Sequence, residues 1–280
     1  MEIVKTTILL VILSLLLVSI GGYLGGADGV LLALLLVGAM NFYAYYYSDK
    51  HILKHYQAIE VTNSRDYLYK IVASLAYRAN LPMPKVYIIP QNIPNAFATG
   101  RNPHNAVVAV TQGLIELLDE NEIKSVIAHE LGHIRHYDIL TSSVVATIAG
   151  AIAAIANMLK FGAVFGNNNQ RGGNNTIMMI LIAIVLPIAA MIIQMTISRS
   201  REFAADEAAA RLVGTPIYLQ SALQKLENYA KKGELREATQ ETAHMFIINP
   251  FTSKDISFKE LFSTHPSTQN RIARLSQLKI

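Results

Sequence analysis

The stretch NEIKSVIAHELGHIRHY, residues 121–137, decides how the rest of the chain is read. Ile123, Ile127, Leu131 and Ile134 recur at helical spacing and predict a buried stripe. Asp119 and Glu122 have the spacing of a capping box, which satisfies backbone N–H groups at a helix start. His129 and His133 lie one turn apart, so both imidazoles leave the same face, with Glu130 between them. Residues 129–133 therefore read H-E-x-x-H, in which two His hold Zn²⁺ and the Glu takes a proton from the metal's water. The competing reading is a chance match on a surface helix with two titrating histidines. The convincing helix around the pattern, and a candidate third ligand further along, favour the metal.

Composition narrows the class. The chain is 52% hydrophobic and 16% charged, with a mean hydropathy of +0.31. An ordinary soluble domain carries about 25% charge, and the deficit here is concentrated in a few nearly charge-free segments, so membrane parts alternate with polar ones. There are no cysteines, which excludes disulfides and thiolate zinc sites and leaves His and carboxylate as ligands. The net charge of +4 and pI near 9.1 come from basic residues beside the apolar segments, which points to a lipid bilayer rather than nucleic acid. No basic-aromatic patch suggests a nucleic-acid partner.

Working outward, residues 6–24 (TTILLVILSLLLVSIGGYL) and 30–47 (VLLALLLVGAMNFYAYYY) are each long enough to cross a hydrocarbon core of about 30 Å. The Gly-rich stretch 25–29 is expected to turn between them. Phe42, Tyr43, Tyr45, Tyr46 and Tyr47 resemble an interfacial aromatic belt, and Lys50 and Lys54 beyond it place that end in the cytoplasm. In the polar block 49–138, residues 65–79 read as a helix with Leu68, Ile71, Val72 and Leu75 inward. Residues 85–89 and 106–111 read as strands, 95–100 as a third short strand, and Thr111 as the cap of a helix over 112–118. After the motif, 139–159 and 177–197 form a second apolar hairpin, read as membrane crossings against the alternative of buried core helices. A helix over 216–231 follows, with Leu219, Leu223 and Leu226 inward. His51, His55, His104 and His244 have no partner pattern.

A hairpin returns the chain to the side it left, so the residues after 197 meet the motif helix again. They include SRSREFAADEAAAR, 198–211, with Glu202 and Asp206 one turn apart on an alanine-rich helix able to pack closely. A catalytic zinc site needs three protein ligands and an open position. Glu202 is the candidate third ligand, with Asp206 orienting the free ring nitrogen of a ligating His. The alternative is a solvated face paired with Arg201 or Arg211. His136 lies near His133, but position 139 is Ile, so the extended metzincin spacing is absent.

Together, HELGH at 129–133, SRSREFAAD at 198–206, NAFATG at 95–100 and STHPSTQNRIARL at 263–275 resemble the HtpX heat-shock membrane metalloproteases, relatives of the CAAX prenyl endoproteases. The resemblance spans nearly the whole chain. It implies an α+β, mainly helical integral membrane protein with a zincin-like domain, a small β-sheet and four transmembrane helices. The organisation would be an N-terminal transmembrane hairpin (1–48), a first zincin part (49–138), a second hairpin (139–197) and a second zincin part (198–280). It implies one Zn²⁺ held by His129, His133 and Glu202, Asp206 beside them, and Glu130 as base. It further implies substrate main chain along the NAFATG segment, with Asn95, Ala96 and Arg271 as substrate-binding residues and His265 as a catalytic residue near the substrate carbonyl oxygen. For residues 264–266 the plainer alternative is a helix start with Pro266 at its first position. The activity implied is a cytoplasm-facing zinc endopeptidase of the inner membrane, acting on misfolded or damaged polypeptides. A CAAX-type protease fits less well, because four apolar segments are too few. A non-catalytic membrane scaffold is the rival of a different class.

Overall fold

The computed structural model describes residues 2–140, 199–232, 247 and 266–280, with the side chains of part of the first helix left out. That helix, α1, runs from Glu2 to His55 but is not one rod. Gly26 has φ 58° and ψ −139°, a conformation open to glycine at little cost. A Cβ placed on Gly22 would lie 3.0 Å from the Val30 side chain. Eight residues of unbroken helix rise about 12 Å, so the chain turns sharply at Gly26, within the turn expected over 25–29. The second run passes the expected end at Tyr47 and continues to His55, across the boundary placed at 48. Among the described residues no helix is long and apolar enough to cross a membrane.

Four strands follow, β1 (Ile59–Glu60), β2 (Lys85–Ile89), β3 (Ala96–Gly100) and β4 (Ala106–Thr111), in the order β1-β2-β4-β3. β2 and β4 are parallel; β1 on β2 and β3 on β4 are antiparallel. Every residue of β4 is buried, as its uninterrupted AVVAV run requires of a central strand covered on both faces. Ala106, Val108 and Val110 face the main core, while Val107 and Ala109 face the other way, against Ile52 and Leu53 of α1 and Tyr56 just beyond its end. Tertiary burial of Ile52 and Leu53 is what extends α1 past its polar residues at 49–51. The β3–β4 connection needs Gly100: its φ is 130°, and a Cβ there would sit 2.2 Å from the Asn105 carbonyl oxygen.

The main core is helical. α2 (Tyr67–Arg78) buries Leu68, Ile71, Val72 and Leu75 as expected, with Asp66 capping it. α3 (Gln112–Leu117) is capped by Thr111. α4 (Glu120–Arg135) carries the motif, and its capping box is formed in full: Asp119 accepts from the backbone of Asn121 and Glu122 while Glu122 accepts from Asp119 N–H. Buried Glu122 also receives Ser221 Oγ and Lys225 Nζ, each at 2.6 Å, which ties the start of α4 to α6 (Ile217–Lys231). α5 (Arg199–Val213) packs along α4 through alanines, with Gly132 so close that a Cβ would lie 3.1 Å from Ala205 Cα. α7 (Thr268–Ser276) packs Leu275 beneath. Its cap is Ser267, so Pro266 precedes the helix instead of opening it.

Ile139 and Leu140, the first residues of the expected second hairpin, are buried, and Ile139 belongs to the main core. The rest of 139–197, and His265, lie outside the described residues.

Candidate active site

α4 presents His129 and His133 from one face, their Nε2 atoms 3.1 Å apart. α5 brings Glu202 to them: its Oε2 is 3.7 Å from His129 Nε2 and its Oε1 3.5 Å from His133 Nε2. The Gly132–Ala205 approach makes this reach possible, because any larger pair would hold the two helices apart. The three ligand atoms lie within 4.8 Å of one another. A tetrahedral zinc with ligands near 2.1 Å has its ligand atoms about 3.4 Å apart, and the spacings here match. The donors are two imidazoles and a carboxylate, a set that suits the ion and leaves one position open.

Each imidazole is aimed by a carboxylate behind it. His129 Nδ1 lies 2.9 Å from Asp206 Oδ1, and His133 Nδ1 lies 3.0 Å from Asp138 Oδ2. Such pairs fix the tautomer and turn Nε2 toward the metal. The Asp206 role was anticipated; that of Asp138 was not. Asp138 falls five residues after His133, out of helical register, and reaches back because Tyr137 takes a left-handed φ of 63° just past α4.

Arg271 sits behind Asp206, 1% exposed. Its Nε and Nη2 donate to the two Asp206 oxygens at 2.8 and 2.6 Å, and its Nη1 lies 3.5 Å from Glu202 Oε2. Burial alone would raise the Asp206 carboxyl, but the guanidinium overrides it and holds it down to about 2. Burial likewise opposes protonation of His133, yet the Asp138 hydrogen bond and the nearby Glu202 and Glu130 carboxylates push it up to about 9. Among the described residues, Glu130, Glu202, Asp206 and Asp138 are all buried around Arg271, with Arg201 3.7 Å from Asp138 as a further cation. Buried negative charge in excess is costly unless compensated, so the same field that binds protons attracts a divalent ion.

Glu130 is 5% exposed, and burial pushes its carboxyl above the usual range against the lowering effect of His129 and His133. Its Oε2 accepts from Ala98 N–H at 2.8 Å. That bond fixes the register of β3. Asn95 exchanges hydrogen bonds with Thr111, its O accepting from Thr111 N–H at 2.9 Å and its N–H donating to Thr111 Oγ1 at 2.8 Å. Residues 95, 97 and 99 thus face β4, while 96, 98 and 100 turn their backbone groups to the outer edge, as antiparallel pairing alternates. Ala96 therefore stands on the outward register. Asn95 has its backbone turned inward, and its side chain Oδ1 accepts from Ile247 N–H at 3.2 Å.

The sequence pattern of peptidase family M48 matches residues 63–279. The chain is 58% identical over 280 residues to a protease HtpX homolog of Campylobacter hominis, covering 100% of this chain and 99% of that one. It is 55% identical over 280 residues to a homolog from a Sulfurovum species, covering both chains in full. With protease HtpX of Legionella pneumophila (strain Corby) it shares 51% over 274 residues, 97% of each chain. Among solved structures, the crystal structure of S. mikatae Ste24p superposes with a TM-score of 0.55 at 18% identity. That match covers 94% of this chain and 62% of the other, and it speaks to the fold alone. The chain belongs to peptidase family M48, among the HtpX proteases, and is by that membership a metalloprotease.

Proposed function

We propose that the chain is a membrane-bound zinc endopeptidase that cuts misfolded or damaged membrane proteins from the cytoplasmic side. The observation that carries this is the convergence of His129, His133 and Glu202 beside Glu130, itself bonded to the outer edge of a β-strand. His129, His133 and Glu202 would hold zinc, which when bound would supply Lewis acidity toward the scissile carbonyl and acidify a water. Glu130 accepts the attacking water's proton and delivers it to the leaving amine, a role its raised proton affinity suits. Asp206, Asp138 and Arg271 hold the imidazoles in register. The substrate adds as a strand to the outer edge of β3, along Ala96 and Ala98, with Asn95 and Arg271 at one end. His265 stands near its carbonyl oxygen, on the resemblance of residues 263–275 alone.

The membrane reading rests on the charge-free segments 6–24 and 30–47 and the belt at Phe42–Tyr47. Apolar side chains of α1, among them Leu15, Leu31 and Leu35, are more than half exposed, a cost in water that lipid removes. Lys50 and Lys54 put the following domain in the cytoplasm. Segments 139–159 and 177–197 would complete four crossings, with Ile139 and Leu140 already inside the domain.

The test compares the purified full chain with Glu130→Gln for zinc content and casein cleavage. Both should hold about one zinc, and the variant should lose at least a hundredfold in rate. A variant that cleaves normally, or a parent that binds no metal, would overturn the reading.

A further inference from the structure

β3 and the end of α1 lie side by side and run in opposite directions. At one end the Tyr56 ring, just past α1, lies 5.8 Å from the Phe97 ring. At the other, the Arg101 guanidinium stands 5.1 Å from the centre of the Tyr46 ring, a cation–π contact. Ten helical residues rise about 15 Å and four strand residues span about 13 Å, so unbroken helix against unbroken strand meets both contacts. Tyr46 belongs to the aromatic belt, its ring 4.7 Å from Phe42 and 4.9 Å from Tyr45. The connection that Arg101 opens is braced from within. Asn102 Oδ1 accepts from Asn105 N–H at 3.0 Å and from its Nδ2 at 2.9 Å, and Arg101 Nη2 donates to Asn105 Oδ1 at 3.3 Å. The far end of β3 is therefore fastened to the belt through a stiff joint.

We propose that this arrangement is a gauge. It stands the substrate edge upright on the bilayer, so that the enzyme cuts the tail of a membrane-anchored polypeptide at a set short distance from the anchor, with the anchor on the amino side of the cut. The proposal rests on the membrane and endopeptidase readings above. Pairing to a strand edge reads main chain, so position rather than side chain chooses the bond. Direction follows from the ladder. Antiparallel pairing is the stronger, and β3 advances toward the belt, so a substrate beside it advances away from the belt. Its residues on the amino side of the cut then lie toward the bilayer. Distance follows from the rise of the strand. Ala98, whose N–H meets Glu130, precedes Arg101 by three residues, about 10 Å. The headgroup layer adds about 5–7 Å, and a sideways step of one helix diameter adds about 10 Å. At about 3.3 Å per extended residue, the cut falls about three to eight residues past the last apolar residue of the anchor.

The experiment reconstitutes the full-length zinc-loaded enzyme in vesicles of phosphatidylethanolamine and phosphatidylglycerol, together with a single-span test protein. One version carries a polar tail after its span and the other carries the same tail before it, both on the catalytic side of the membrane. Spacers of increasing length, taken from casein so that their bonds are cleavable, separate span from tail, and mass spectrometry locates the cuts. We expect the tail after the span to be cut about three to eight residues from it whatever the spacer. The tail before the span should escape cutting in that window. Arg101→Ala, with its rate on soluble casein unchanged, should spread the cuts beyond the window. Cuts that travel outward with the tail sequence as the spacer grows, or equal membrane-proximal cutting of both versions, would overturn the gauge. An unaltered window in Arg101→Ala would overturn the part given to that contact. Flotation of the enzyme with the vesicles, and casein cleavage that is lost in Glu130→Gln, report separately on the two readings beneath: both obtained, with cuts that follow the sequence, sinks the gauge alone.

Discussion

At the scale of single residues, the candidate metal ligands depend on partners placed behind them. His129 and His133 are each backed by a carboxylate, and for His129 that carboxylate is itself gripped by a buried guanidinium. Removing such a partner typically weakens metal binding about 10–100-fold. Asp138→Ala is therefore expected to lower zinc affinity by that factor, measured by competition with a chromogenic chelator. An unchanged affinity would reduce Asp138 to a helix-end accessory. The ligands themselves were readable from sequence because His129, Glu130 and His133 obey the helical period and Glu202 opens the next polar helix. Asp138 was not, since no period links it to His133; only the left-handed turn at Tyr137 brings it back. Arg271 was read as substrate-binding, on the resemblance of the C-terminal motif. Its burial against Asp206, 65 residues earlier, is a tertiary fact that local spacing does not contain.

At the scale of elements, the metal site exists because two helices approach unusually closely. Gly132 and Ala205 form the contact, and Glu202 stands one turn before it. Gly132→Val places two methyl groups where a single Cβ already meets Ala205 Cα at 3.1 Å. It should cost about 1–3 kcal/mol by overpacking and, by levering α5 away, weaken zinc binding as well. Thermal unfolding with and without zinc checks both, and a stability loss with zinc affinity intact would mean that α5 slides without moving Glu202. The helices α2, α4 and α6 and the strands β2 and β4 were legible, because apolar periodicity and β-branched runs are local signals. β1 was not, being only two residues held by its neighbour. Nor was the strand order, in which β4 lies between β2 and β3. Strand pairing joins distant segments, so the stretch alone does not disclose it.

At the scale of the whole molecule, α1 belongs to the same core as the sheet. Its last two turns form the second wall of the sheet, with Tyr56 5.8 Å from Phe97 on the strand read as the substrate edge. The polar residues Asp49, Lys50 and His51 concealed this in the sequence by imitating a helix end. Ile52→Ala should therefore destabilise the protease domain by about 2–4 kcal/mol and lower its melting temperature in detergent. A neutral result would mean that α1 and the sheet do not share a core. The wide separation of the catalytic groups along the chain has a consequence in time. His129 and Arg271 are 142 residues apart, and a ribosome adding about 5–20 residues per second needs about 7–28 s to make the second after the first. For about the first half of that interval the emerging polypeptide has its histidine pair without Glu202, and for all of it without Arg271. A site made in this order holds its three candidate ligands before the guanidinium behind Asp206 exists, so the cluster as described is complete only once the chain extends past Arg271.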